Sequence, residues 1–191
     1  QLYRTRRIDG KEEMTASSSL GRQIAEVTEA LGNAGIPCAL IGGLALASYQ
    51  VVRATQDVDL LAPLDMSETI DGMLIQLGYR CLHRDTNAGN YVRNRERVDF
   101  LYASRPIALR LLRNARQITT ALGPLCVVSA EGLIGFKLQG WVNDARRTQD
   151  LEDIKALLRA NRSQLDMNEV REYFRLFDKE YLLDELLCHL P

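Results

Sequence analysis

Cysteine is sparse and scattered in this chain: Cys38, Cys81, Cys126 and Cys188 stand far apart, with no C-x-x-C pair and no histidine at metal-ligand spacing. A structural zinc site and a disulfide framework are both excluded, and the four read as reduced core residues. Aromatic residues make up only 6% of the chain, which weakens any reading in which successive bases stack along it. An excess of one charge is missing too, since 24 Lys and Arg face 25 Asp and Glu for a net charge of −1. Nothing therefore draws the whole molecule to nucleic acid or to a membrane, and any such partner must be met by a local patch. No apolar run approaches the roughly 20 residues of a membrane span. The first residues carry no apolar signal region either, so a cytoplasmic protein without a membrane partner is expected.

What is present is an ordinary globular composition, 46% apolar and 26% charged, in 191 residues. That length suits one substantial core, or an α/β unit with a helical appendage. Residues 1–14 are polar, basic and aperiodic, and read as a flexible arm. Leu20, Ile24, Val27 and Leu31 then recur at helical spacing until Gly32, Gly35 and Pro37 stop the helix. A short strand is predicted over Cys38–Ile41, two helical turns over Leu44–Gln50, and an alternating strand over Arg53–Leu61 that Pro63 ends. A helix over Met66–Leu77, capped by Gly78, leads into strands near Tyr79–His83, Tyr91–Arg93 and Val98–Tyr102. A helix from Pro106 to about Ala115 and a strand over Leu125–Val128 follow. Ser129 is a good N-cap, and beyond it the pattern is helical at 130–142, 151–160, 167–176 and 181–190. The expected class is α/β (α+β): a small mixed sheet with helices on one face over residues 15–128, then a helical region over 129–191 packed on that core.

The chemistry concentrates in Ile41-Gly42-Gly43 and Asp57-Val58-Asp59. Side chains alternate along a strand, so Asp57 and Asp59 point the same way while Val58 and Leu60 point into a core. About 7 Å apart along the backbone, the two carboxylates repel by about 2.4 kcal/mol at an effective dielectric near 20, a penalty that a divalent cation or plain solvation removes. Gly42-Gly43 sits between a predicted strand and a predicted helix, where free backbone N–H groups favour an anion such as phosphate. Asp99 adds a third strand-borne carboxylate in an otherwise apolar strand. Aspartates supply the hard oxygens that Mg²⁺ takes together with water and substrate phosphates, and two such ions suit in-line phosphoryl or nucleotidyl transfer.

These residues resemble the nucleotidyltransferase superfamily related to DNA polymerase β, and most closely its bacterial minimal and AbiEii-like members. The first motif of that superfamily matches Ile41-Gly42-Gly43, its Asp-x-Asp/Glu motif matches Asp57-Val58-Asp59, and its third carboxylate matches Val98-Asp99-Phe100. The likeness runs from about Leu20 to Leu158, and Ser129 to Lys137 followed by Asp150 to Ile154 also resembles AbiEii-like members. It implies that Gly42 and Gly43 hold NTP phosphates, and that Asp57 and Asp59 coordinate two Mg²⁺ ions. Asp99 would complete the second metal site and help activate the attacking hydroxyl. Lys137 would face the triphosphate, although the solvated margin of a helix suits that lysine as well. Arg53 and Thr55 either reach the nucleotide or pair with Asp57 and fix the strand end. Asp150 and Asp153 also suit helix N-terminal acids and stay outside the expected site. Many members carry serine after the first glycine, whereas Gly43 and Leu44 stand here, so backbone amides must hold the phosphate.

The expected function is Mg²⁺-dependent transfer of NMP from an NTP to a hydroxyl on an RNA end such as tRNA, a protein or a small molecule. The AbiEii-like likeness adds a toxin role, with an antitoxin protein as partner. The alternatives are a catalytically silent nucleotide-binding or protein-interaction module with the same fold, and an RNA-binding adaptor using the arginine clusters, which the neutral charge disfavours.

Overall fold

The computed structural model describes residues 18–189, so the expected arm at 1–14 lies outside the described residues. The first helix, α1 (Ser19–Asn33), opens on Ser18, whose Oγ accepts from the Gly21 N–H at 3.0 Å. Strand β1 (Ala39–Ile41) runs directly into α2 (Gly42–Leu46), and β2 (Asp57–Pro63) follows a short loop. Then come α3 (Ser67–Gln76), β3 (Arg80–Arg84), β4 (Ala88–Arg93), β5 (Glu96–Ala103) and α4 (Pro106–Arg113). A hairpin of β6 (Arg116–Thr120) and β7 (Gly123–Val127) closes the sheet. The remainder is α5 (Ala130–Asn143), α6 (Thr148–Asn161), α7 (Met167–Leu176) and α8 (Glu180–Cys188).

The seven strands form one mixed sheet in the order β3-β4-β5-β2-β1-β7-β6. Strands β2 and β5 are parallel, as are β1 and β7, and the other neighbours are antiparallel. The parallel pair matters most, because its register sets Asp57 against Arg97 and Asp59 against Asp99. Alternation then turns Val58, Leu60, Val98 and Phe100 to the opposite face, where all are buried. Ile24 of α1 lines a cleft with Leu40 and Leu60 on that side, and Asp71 of α3 accepts from the Tyr91 hydroxyl at 3.1 Å. The apolar alternation of β2 and β5 therefore fixes which face is left to the carboxylates.

Three details differ from expectation. Strand β2 starts at Asp57, not at Arg53, so Arg53 and Thr55 belong to a loop and are not held to strand alternation. The helix after β1 starts at Gly42 itself, with a 3-10 turn over Ala47–Tyr49. Strand β6 has no counterpart in the sequence reading: Ile118, Thr119 and Thr120 pair back on β7 across a turn in which Gly123 takes a φ of 111°. Ser129 caps α5 as expected, its Oγ accepting from the Gly132 N–H at 3.1 Å.

Close approach constrains Gly89 on β4. A Cβ there would meet the Tyr102 hydroxyl and stand 2.9 Å from Tyr91 Cε2, inside a buried aromatic group where Tyr91 meets Phe100 edge-on at 6.2 Å. Gly89→Ala is expected to lower stability by about 1–3 kcal/mol, as overpacking does. The urea midpoint checks it, and an unchanged midpoint contradicts this account of the cluster.

Candidate active site

The site is built where β1 turns into α2 over the carboxylate face. Gly42 has a φ of 66°, a conformation glycine adopts without the Cβ penalty. An added Cβ there would collide with the Asp59 carboxylate and stand 2.7 Å from Asp59 Cβ. At Gly43 an added Cβ would lie 2.9 Å from Thr55 Oγ1 and 3.1 Å from Arg53 Nη2. Both glycines thus let the turn lie directly on the acids and on the 53–56 loop. The Gly43 N–H faces Asp59 and favours its charged form.

Asp57, Asp59 and Asp99 share one face of the parallel pair and are all partly buried. Burial pushes the Asp59 carboxyl up to about 6, and the charges of Asp99 and Asp57 push the same way, against Lys137 and the Gly43 N–H. Asp99 is held from the side: Asn90 Nδ2 donates to its Oδ1 at 2.9 Å, while Arg97 Nε lies 3.9 Å from its Oδ2.

Lys137 reaches the site from α5, with its side chain only 9% exposed. Its ammonium lies 2.9 Å from Asp150 Oδ1 and 2.8 Å from Asp153 Oδ2, both on α6. Arg147 donates to Asp150 Oδ2 at 2.6 Å, and Arg53 Nε stands 3.2 Å from Asp153 Oδ1. Arg53 therefore pairs with Asp153, not with Asp57. Arg53 Nε and Asp153 Oδ2 are buried without an aligned hydrogen bond despite these short distances. Arg53 Nε thus remains a donor without an aligned acceptor beside the glycine turn. A chain of alternating charge runs from Arg147 through Asp150, Lys137 and Asp153 to Arg53, tying α5 and α6 to the loop over Gly43.

Breaking a buried charge cluster costs about 3–5 kcal/mol when one partner is removed. Asp153→Asn keeps the shape and is expected to cost about 3 kcal/mol, read as a lower thermal midpoint. A midpoint equal to wild type would contradict the ion-pair chain.

Sequence reasoning left Asp150 and Asp153 outside the site and did not single out Asn90. The i, i+3 spacing of the two aspartates was a usable signal, since it puts both on one helix face. Nothing local in the sequence marks Asn90, whose role depends on the pairing of β4 with β5.

The donor set suits a hard cation in charge, because three carboxylates share one face and the proton is held more tightly on one of them, Asp59. Among the described residues no three acidic, histidine or cysteine side chains form a ready-made cage. No described helix is long and apolar enough to cross a membrane.

No protein-family model matches the chain, and no curated protein matches its sequence. Solved structures do match. The solution structure of the antibiotic-resistance factor ANT(2'')-Ia aligns with a TM-score of 0.62 at 18% identity, over 88% of this chain and 96% of that one. The crystal structure of ANT(2'')-Ia in complex with adenylyl-2''-tobramycin gives 0.63 at 16% identity, over 86% and 99%. A putative nucleotidyltransferase from Thermotoga maritima gives 0.51 at 15% identity, over 69% and 91%. At such identities the likeness is one of fold, and this chain has the nucleotidyltransferase fold.

Proposed function

We propose that this chain is an Mg²⁺-dependent nucleotidyltransferase that moves NMP from an NTP to a hydroxyl and releases pyrophosphate. The observation that carries the reading is the glycine turn seated on Asp59, with Asp57 beside it and Asp99 directly across the parallel pair. A phosphate-sized anion at the turn would meet backbone N–H groups at its centre and Arg53 at its flank. Asp57, Asp59 and Asp99 would hold two Mg²⁺ ions, which supply Lewis acidity and offset the charge of the triphosphate when bound.

In this reading the turn at Gly42 and Gly43 receives phosphate at main-chain N–H groups, with the Gly43 N–H shared between the phosphate and Asp59, and the Arg53–Asp153 contact keeps the loop closed over them. Lys137 lends positive potential to the carboxylate group through its field on Asp59. The acceptor oxygen attacks the α-phosphorus and forms a new O–P bond. The bond from that phosphorus to the β-phosphate oxygen breaks, and pyrophosphate leaves with the electron pair. Asp99 takes the hydroxyl proton on Oδ2, because Asn90 occupies Oδ1.

All three carboxylates, Asp57, Asp59 and Asp99, stand on one face of the sheet, which supports a catalytic reading over a silent module with the same fold. The AbiEii-like subtype, the toxin role and an antitoxin partner rest on the sequence resemblance alone. Incubation with each labelled NTP, Mg²⁺ and pools of RNA, protein and small molecules separates the cases. Label in an acceptor from wild type and none from Asp57→Ala plus Asp59→Ala supports the enzyme. NTP binding by folded wild type with no transfer to any pool supports the silent module.

A further inference from the structure

The carboxylate face continues beyond Asp99 into a part of the sheet that the transfer reading leaves unused. Register extends two rows of side chains across it. One row runs Arg80, Val92, Arg97, Asp57, and the next runs His83, Asn90, Asp99, Asp59. Register partners point to the same side of a sheet, so both rows belong to the face that carries the acids. The opposite side of β3 confirms the assignment, since Arg84 turns away to Glu68 of α3 at 2.8 Å.

The charge changes sign along these rows. Asp57 and Asp59 lie on β2 and Asp99 on β5, whereas Arg97 shares β5 with Asp99 and Arg80 lies on the edge strand β3. Arg80 is exposed, and no ion pair of the described residues includes it. Arg97 is 48% exposed and is only loosely engaged by Asp99, at 3.9 Å. Two strand spacings, or roughly 10 Å, separate the backbones of the two arginines. The remaining charges nearby do not cancel them. Asp85 is engaged by His83 at 3.3 Å and by the N–H groups of Asn87 and Ala88, and Glu96 is paired with Arg93 at 2.7 Å.

We infer that the hydroxyl acceptor is a phosphate-bearing molecule, held by its phosphate on Arg80 and Arg97 so that its hydroxyl lies at Asp99. The inference rests on the nucleotidyl-transfer reading of the same site and names its second substrate. Arginine suits the task because its planar fork matches phosphate oxygens. An acceptor rich in ammonium groups, such as an aminoglycoside, would meet two arginines where it needs carboxylates. Both an RNA 3′ end and a small sugar phosphate carry the required chemistry, a hydroxyl a short distance from a phosphate.

The test is binding, so that it does not depend on turnover. A fluorescent oligoribonucleotide with a free 3′-hydroxyl is titrated into the protein with Mg²⁺ and a saturating non-hydrolysable NTP analogue, which fills the nucleotide site. Arg80→Gln and Arg97→Gln are each expected to weaken binding about 10-fold whatever the RNA sequence, and to lower the salt slope by about 1. Displacement by ribose 5-phosphate assigns the site to a small sugar phosphate, and resistance to it assigns the site to a nucleic-acid end; both support the inference. Failure of both phosphate probes to bind overturns it, as does binding that Arg80→Gln leaves unchanged. Transfer to an aminoglycoside without phosphate binding overturns the acceptor while sustaining the transferase. RNA binding lost in Arg80→Gln, but with no transfer from any NTP, supports the phosphate surface and overturns the transferase.

Discussion

Asp59→Asn is expected to abolish transfer and, in the same protein, to raise the stability of the metal-free fold at neutral pH. The two effects have one cause. Asp59 is buried beside two other carboxylates, which pushes its carboxyl from 3.8 to about 6 in the folded chain. The folded state therefore binds the proton more tightly than the unfolded state. Stability from this group is fully present below about 3.8 and is lost as the pH rises to about 6. Above that pH a penalty of about 2–3 kcal/mol persists, at 1.36 kcal/mol per pKa unit. Asparagine removes the charge and keeps an oxygen for the Gly43 N–H. Thermal melts without divalent ions at pH 7.5 should show the variant roughly 5–10 °C above wild type, with the gap closing toward pH 4. In transfer assays the loss should be at least about 10³-fold, in keeping with removal of a group that stabilises transition-state charge. A variant less stable than wild type at pH 7.5 would contradict the like-charge account of the site.

Gly42→Ala should damage both fold and chemistry. A non-glycine residue at a φ of 66° costs about 1–2 kcal/mol. The methyl group would also stand 2.5 Å from Asp59 Cγ, so either the turn lifts or the carboxylate leaves its position. Overpacking of that kind adds about 1–3 kcal/mol. Loss of NTP affinity should accompany a transfer rate at least about 100-fold lower, because a small displacement at a reacting centre is costly. Gly43→Ala is the milder partner, since its neighbours are the Thr55 and Arg53 side chains. A Gly42→Ala protein with wild-type NTP affinity would show that the turn does not hold phosphate.

Side-chain alternation explains how much of this was legible in the sequence. Asp57 and Asp59 lie two apart in one apolar strand, and Asp99 stands between Val98 and Phe100 in another, so their place on the face opposite those apolar side chains follows from local pattern alone. The pairing of β2 with β5 is not local: it brings together residues 40 positions apart, and only the folded sheet sets Asp59 against Asp99. Lys137 illustrates the same limit. Its sequence pattern suits the solvated margin of an apolar helix face, whereas the side chain is buried, because the partners that hold it, Asp150 and Asp153, sit on another helix. Strand β6 escaped because Thr119 and Thr120 beside Gly123 read equally well as a loop, and only pairing with β7 makes them a strand. The open side of β3 and β4 depends on the rows that run through Arg80 and Arg97, which no single-strand pattern reveals.

The most direct test of the transfer reading follows the phosphate itself. Protein, Mg²⁺ and an NTP labelled on either the α- or the γ-phosphate are incubated with a responsive acceptor, and label is counted in acceptor and in released pyrophosphate. Nucleotidyl transfer predicts α-label in the acceptor, γ-label in pyrophosphate, equal molar amounts of the two, and neither from Asp57→Ala plus Asp59→Ala. Label from the γ-phosphate appearing in the acceptor would make the protein a kinase and contradict the account.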